Sequence, residues 1–403
     1  MISKKPLAVS LLTTLLSACV GDGPPDDPTN TADPSAVEMI GAGSDELTAE
    51  DLQRGRLDPS WRQVVQLDSV AAADTARNPE RWEDISADAL NEAPTFLPLF
   101  GDVSGHSVMR VQLLLDRALF SPGVIDGRWG KNTEKAVYWL QKREGLPATG
   151  RVDSVTFARL TELGRAPRHL VQARVLTEQD VAGPFVEMPA EIYEAHKLDC
   201  TCYQSLAEKL GERFHLTPEL LAKLNPGVEL NTLEAGDRLW VPAVRDSGAS
   251  AGAEVAEIVV SVAGNYLHAN DAQGRILYHF PTTLGLGYSP EEGTTYQVNS
   301  VTPDPWWHLQ PRLLHVGDPT RPDVKIPPGP NNAVGNMWID LSKEHYGIHG
   351  TARPETIGYA VSSGCVRLTN WDANFLGGRI GPGVPVRFKD IPPGRQEHPS
   401  HAG

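Results

Sequence analysis

The sequence predicts a multidomain chain: a small three-helix domain, a small α/β unit, and a C-terminal β-rich domain built as a sandwich or partly closed barrel. Three observations lead to the division and to its helical and β-rich parts. Between about residues 104 and 163, apolar residues recur at three- and four-residue spacing, as on the buried face of a helix. From about residue 254 the period falls to two, in short runs of β-branched and aromatic residues bounded by Gly, Pro or Asn. Gly- and Ser-rich polar stretches separate these patterns, and 403 residues are more than one small core usually organises.

At the start, Lys4 and Lys5 precede an apolar stretch from Pro6 to Leu16 that is too short to span a bilayer as a helix. It runs into Leu16-Ser17-Ala18-Cys19, which resembles a lipoprotein processing site. That resemblance makes residues 1–19 a lipoprotein signal peptide and Cys19 the lipidated residue. With Val20 after it, the resemblance implies an exported protein anchored in the outer membrane and facing the periplasm. Residues 20–50 then carry eight acids and no Lys or Arg, more than half of the net charge of −15. Such a composition cannot bury a core. Residues 20–100 are therefore read as an acidic, disordered tether followed by a segment of no assigned function. The negative balance disfavours a nucleic-acid partner.

Residues 101–165 come next. Val108, Val111, Leu114, Leu115 and Leu119 line one helix face, and a second helix around Thr133 to Arg143 groups Ala136, Val137 and Leu140. Pro147-Ala148-Thr149-Gly150 breaks the chain before Asp153-Ser154, which can cap a third helix. The turn from Gly123 to Gly130, a Gly-x-x-Asp-Gly-x-x-Gly pattern with Trp129, resembles that of the peptidoglycan-binding module, which implies binding to wall glycan. Residues 190–243 form another unit. Leu220 to Pro226 and Leu233 to Pro242 resemble the second half of a LysM glycan-binding module, and the resemblance implies the small α/β unit. The first half departs from it: Cys200-Thr201-Cys202-Tyr203-Gln204-Ser205 stands where a strand and a Gly-Asp-Thr turn belong. Glycan binding and a purely structural spacer both stay open for this unit.

Residues 244–253 read as a flexible linker. It opens the β-rich domain at 254–390, with strands expected around Ile258–Val262, Arg275–Tyr278, Thr295–Val298, Met337–Asp340 and Val384–Phe388. Residues 302–335 hold eight prolines and are expected to form a stiff loop over the sheet rather than a further strand. Residues 391–403 are a tail.

Chemistry concentrates in the last domain. His349 and Cys365 lie sixteen positions apart, in Tyr346-Gly347-Ile348-His349-Gly350-Thr351 and Ser362-Ser363-Gly364-Cys365-Val366-Arg367. A thiol becomes a strong nucleophile as its thiolate, and an imidazole within hydrogen-bond reach can make it one. Backbone N–H groups around Gly364 and Cys365 are candidate donors to an oxyanion. Arg367, two residues on, points to the same side of a strand as Cys365. A bridge from Cys365 to Cys200 or Cys202 stays open at this stage; Cys200 and Cys202 themselves can close a small ring, bind a metal or simply pack. With His196 or His215 they lack a convincing ligand spacing, so no metal is assigned, and no cofactor.

Ile348-His349-Gly350-Thr351, Ile357-Gly358 and Ser362-Ser363-Gly364-Cys365-Val366-Arg367 resemble the signature of the L,D-transpeptidase (YkuD-like) catalytic domain, and Ile326 to Asn332 with Gly335 resembles the stretch ahead of its active site. The resemblance implies a β-sandwich carrying Cys365 as nucleophile and His349 as general base and acid, with a backbone carbonyl at Gly350 orienting the imidazole. From the residues themselves, Gly364 is expected at the oxyanion and Arg367 in support of substrate or oxyanion, and Ser362, Ser363 and Tyr346, within the same motifs, are expected to bind substrate. The substrate implied by the resemblance is a peptidoglycan stem tetrapeptide, acylating the enzyme through its third, L-configured centre with release of the terminal D-residue. An amine then takes the acyl group. Ser363 replaces the His that many members carry before Gly-Cys, which leaves His349 as the one motif histidine able to act as base. Two other readings remain: an L,D-carboxypeptidase with water as acceptor, and a non-catalytic peptidoglycan-binding tether.

Overall fold

The computed structural model describes residues 78–245, 254–284, 290, 293–313, 318, 320–359 and 364–390. The signal segment with Cys19, the acidic tether, most of the 244–253 linker, Ser362, Ser363 and the 391–403 tail lie outside the described residues. Among the described residues no helix is long and apolar enough to cross a membrane.

The helical domain begins earlier than residue 101. Helix α1 (Ala87–Glu92) buries Leu90, and Arg110 of α2 (His106–Arg117) donates to the carbonyls of Ala89, Leu90 and Ala93 at 2.8–3.2 Å. Glu80 accepts from the Ser107 amide at 2.9 Å, and Trp82 Nε1 donates to the Asp126 carbonyl at 2.8 Å. Residues 78–100 are thus part of the domain, held by long-range polar contacts that leave no periodic trace in sequence. Helices α3 (Lys131–Glu144) and α4 (Ser154–Leu163) complete it, the latter capped by the Asp153 side chain on Thr156 N. The Gly-Asp-Gly turn is clamped by Gln112, whose Oε1 accepts from Asp126 N and Gly127 N at 3.2 and 2.8 Å.

The next unit runs strand, helix, helix, strand. Strand β1 (Val171–Val175) pairs antiparallel with β2 (Arg238–Pro242), and α6 (Leu206–Arg213) and α7 (Pro218–Leu224) lie between them in sequence. The pairing partner of β2 therefore stands ahead of the residue-190 boundary read from the sequence. After the short helix α5 (Glu178–Val181), the chain makes an excursion through a 3-10 turn at Ile192–Lys197 before returning at α6. That excursion carries Cys200 and Cys202, which form a disulfide. It leaves Cys365 as a buried thiol and removes the option of a bridge between them.

The C-terminal domain is one eight-stranded sheet ordered β11-β10-β9-β6-β12-β3-β4-β5, not two packed sheets. The strands are β3 (Glu257–Ser261), β4 (Tyr266–Asn270), β5 (Ile276–Pro281), β6 (Thr295–Pro303), β9 (Met337–Leu341), β10 (Gly347–His349), β11 (Val366–Arg367) and β12 (Pro385–Lys389). The nine-residue β6 explains the difference from a sandwich. Its first half pairs with β12 and its second with β9, with a register shift between Val298 and Ser300 where the sheet bends. The curl brings the two edges together: Thr283, just past β5, exchanges backbone hydrogen bonds with Arg367 of β11 at 3.1 and 2.9 Å. Helix α8 (Asn370–Gly377) buries Ala373, Phe375 and Leu376 in the core formed with Ile339, Ile348 and Val366. The proline-rich segment departs from a plain loop, since β7 (Trp307–Leu309) and β8 (Val324–Ile326) pair antiparallel within it.

A buried ionic cluster joins the three units. Arg245 lies between Asp116 of α2, at 3.2 Å, and Asp372 of α8, at 2.5 Å, while His215 Nδ1 stands 3.0 Å from Asp116 Oδ1. Burial by itself would raise the Asp116 carboxyl, but His215 and Arg245 outweigh it and hold the group down at about 2. Its folded value lies below the unfolded one of 3.8, so its contribution to stability is present above pH ~4 and is lost as pH falls towards 2. The shift corresponds to about 2 kcal/mol. In urea titrations, the stability gap between the parent and Asp116→Asn should therefore narrow by that amount between pH 5 and 2. A gap that stays constant over this range would contradict the assignment.

Candidate active site

Alternation along three neighbouring strands creates two faces. On one, Ile339, Ile348, Val366 and Leu368 enter the hydrophobic core; on the other lie Trp338, His349, Cys365 and Arg367. Strands β10 and β11 run parallel with His349 in register with Arg367, and Cys365 immediately precedes β11. Sixteen positions of sequence therefore collapse onto adjacent strands.

His349 is buried, and its ring stacks on Trp338 with centroids 5.6 Å apart. Its Nδ1 lies 2.6 Å from the Gly350 carbonyl oxygen. A carbonyl only accepts, so Nδ1 carries the proton and Nε2 is the basic nitrogen of the neutral ring. Cys365 Sγ lies 3.9 Å from the carbonyl of His345. The thiol sits in an apolar wall with Trp307, Leu309, Ile326, Ala333, Val334 and Trp338. Gly364 is buried beside it. Burial pushes the Arg367 guanidinium down to about 10.

Tyr346 does not fit the substrate-binding role read from its motif. Being three residues before His349, it falls on the opposite face, buried with its ring against Phe388 at 5.8 Å and Tyr296 at 5.9 Å. His196 and His215 do not meet the Cys200–Cys202 pair as a ligand set, since both sulfurs are in the disulfide and His215 is paired with Asp116.

Other residues at the site escaped the sequence reading. Asn370, the first residue of α8, presses its amide on Gly350: a Cβ at Gly350 would come 2.2 Å from Asn370 Oδ1. The excursion from the second unit reaches the same place from outside. Thr201 N donates to Pro328 O at 3.0 Å, and Asn331 N donates to Thr201 O at 2.9 Å, so the disulfide loop is laced to the segment that leads into Ala333 and Val334. Only the absence of the expected Gly-Asp-Thr turn at 200–205 hinted that this stretch had another task.

Residues 256–387 match the family model described as "L,D-transpeptidase catalytic domain", and residues 104–160 match "Putative peptidoglycan binding domain". The chain carries a catalytic domain of that family with a peptidoglycan-binding domain ahead of it, and is an enzyme of the L,D-transpeptidase class. A Bacillus licheniformis protein named "Putative L,D-transpeptidase YkuD" is 28% identical over 165 residues, covering 41% of this chain and 82% of the relative. "Probable L,D-transpeptidase YbiS" of Escherichia coli is 33% identical over 137 residues, covering 30% of this chain and 44% of that one. Among solved structures, an L,D-transpeptidase fragment from Xylanimonas cellulosilytica aligns over 74% of this chain and all of its own, with 16% identity and a TM-score of 0.31.

The Gly350 contact yields a sharp test. Gly350→Ala should move the carbonyl that holds His349 Nδ1, and a misplacement near 1 Å can cost about 100-fold in rate. Turnover should fall by roughly that factor while the far-ultraviolet circular dichroism stays that of the parent. Unchanged turnover would show that Gly350 has no part in holding the imidazole.

Proposed function

We propose that the protein cross-links peptidoglycan stem peptides, or attaches them to another amine, through a thioester on Cys365. The observation that carries this reading is the shared face of β10 and β11, where His349 has its tautomer set by Gly350 and stands beside the Cys365 strand. In the proposed cycle His349 Nε2 takes the Cys365 proton, and the thiolate attacks the carbonyl of the third stem residue. Backbone N–H groups around Gly364 and Cys365 receive the oxyanion. As the tetrahedral adduct collapses, His349 gives the proton to the leaving amine of the terminal D-residue. The acceptor amine then attacks the thioester and loses a proton to His349, which returns it to the thiol. A buried guanidinium favours an anion in contact with it, and Arg367 is assigned a substrate carboxylate on that basis.

Two further roles belong to the same proposal. The strand-helix-helix-strand order of β1, α6, α7 and β2 supports a LysM-like reading of the second unit. The Gly123–Gly130 turn shares a cleft with the catalytic domain, lined by Asp126, Arg128, Asn132, Glu355 and Tyr359, so a wall strand held there would lie against both domains. Lipidation at Cys19 would tether the enzyme to the outer membrane, with the acidic stretch as spacer. Mass spectrometry of the exported protein should find a diacylglyceryl group on an N-terminal Cys19, and an unmodified N-terminus would remove the anchor from the scheme.

The catalytic reading is tested with a disaccharide-tetrapeptide and the full chain, alongside Cys365→Ala. Cross-linked dimer from the parent and none from the variant is the expected result. Shortened monomer in its place would make water the acceptor. Dimer from Cys365→Ala would sink the thioester route.

A further inference from the structure

Glu212 lies outside the catalytic domain, near the end of α6 in the strand-helix-helix-strand unit. Its Oε2 accepts a 2.9 Å hydrogen bond from Asn370 Nδ2, and its Oε1 accepts one of 2.8 Å from the Tyr203 hydroxyl. Asn370 is completely buried. Its amide nitrogen also donates to the Pro330 carbonyl at 3.1 Å, and its Oδ1 accepts from Asn336 N at 3.4 Å. With two acceptors on the nitrogen side and a backbone N–H on the oxygen side, one orientation of the amide is selected. That orientation places Oδ1 against Gly350, and also against Gly335, where a Cβ would stand 2.1 Å from it. Gly335 has φ +63 and its Cβ would come 2.8 Å from Gly350 Cα, so the three residues are packed without slack. The Gly350 carbonyl is the group that holds His349 Nδ1. Burial pushes the Glu212 carboxyl up to about 7, as expected where hydration has been exchanged for two hydrogen bonds.

We propose that Glu212 is a positioning residue for the reaction: from the accessory unit it fixes the Asn370 amide, and through Asn370 the Gly350 carbonyl that aims His349 at Cys365. The accessory unit thereby completes the active site of the domain it packs on. This rests on reading His349 as the base for Cys365.

The test compares Glu212→Leu, which removes the acceptor at similar volume, with Glu212→Gln, which keeps an oxygen for Asn370. In the full chain, iodoacetamide alkylation of Cys365 is followed across pH 5–9 by peptide mapping, which separates Cys365 from Cys19. Acylation by a stem tetrapeptide is followed in parallel. Glu212→Leu should slow alkylation at pH 7 about tenfold, and slow acylation by a similar factor at unchanged KM. Glu212→Gln should stay within about twofold of the parent. Alkylation by Glu212→Leu at the parent rate, or an equal fall in Leu and Gln, overturns the proposal. Where Glu212→Leu does not fold, Glu212→Asp decides, since it keeps the charge but draws the oxygen back from Asn370: slowed alkylation supports the positioning role and a parent-like rate overturns it. Alkylation needs no substrate. A parent that alkylates but forms no acyl-enzyme therefore refutes the transpeptidase cycle while the variant series still decides on Glu212.

Discussion

The arrangement depends on one buried cation. Arg245, at the end of the second unit, has its guanidinium between the carboxylates of Asp116 and Asp372, and its backbone N–H donates to Asp116 Oδ2 at 2.7 Å. His215 joins from the α6–α7 turn and stacks on Trp371, with ring centroids 5.0 Å apart; Ser121 donates to the second oxygen of Asp372 at 2.9 Å. Each module supplies a charge that the others neutralise. Removing one partner from such a cluster leaves an uncompensated buried charge, at a cost of about 3–5 kcal/mol. Directional ion pairs of this kind admit few alternative dockings, so the three units behave as one body rather than as beads on a string.

Direct packing extends the same constraint. Lys135 of α3 is fully buried and donates to the carbonyls of Gly264 and Asn265 at 3.1 and 2.8 Å, and desolvation lowers its pKa well below the ordinary lysine value. Asn132 donates to Ile357 O at 2.8 Å, on the segment that leads towards Cys365. On the other side, Ala195 of the excursion enters the apolar wall shared with Trp307, Trp338 and Cys365, and Tyr193 donates to Pro322 O at 3.1 Å. The catalytic face is thus bounded by the sheet beneath and by chain borrowed from the accessory unit. Under the proposed function, a wall polymer bound by a domain docked this closely would be held near the thiol, which would raise the local concentration of substrate.

Legibility in the sequence followed the range of the interactions. Helices α2, α3 and α4 and the runs of β-branched residues were readable because their periodicity reports which face is buried. The single curled sheet was not, because it depends on β6 changing partners midway, a choice made by long-range pairing. Tyr346 misled for a similar reason. Proximity to His349 in sequence suggested proximity in space, and the two-residue period of β10 puts it on the opposite face. Residues 78–100 and the 192–202 excursion carry no periodic signal, since isolated apolar anchors such as Leu90, Leu99 and Ala195, together with single polar contacts, hold them in place.

The sequence by itself determined where the proposed chemistry is placed: a histidine and a cysteine among glycines, spaced to fall on neighbouring strands, with an arginine one pleat beyond. Those identities are local, because nucleophile, base and close backbone approach each demand a particular residue type. Only the tertiary structure decided what surrounds them. That the Gly350 carbonyl bonds the imidazole, that Asn370 abuts Gly350, and that Glu212 reaches in from another unit are contacts between residues up to 158 positions apart. Side chains at such separations meet only because the charges around Arg245 and the closure of the sheet bring their elements together.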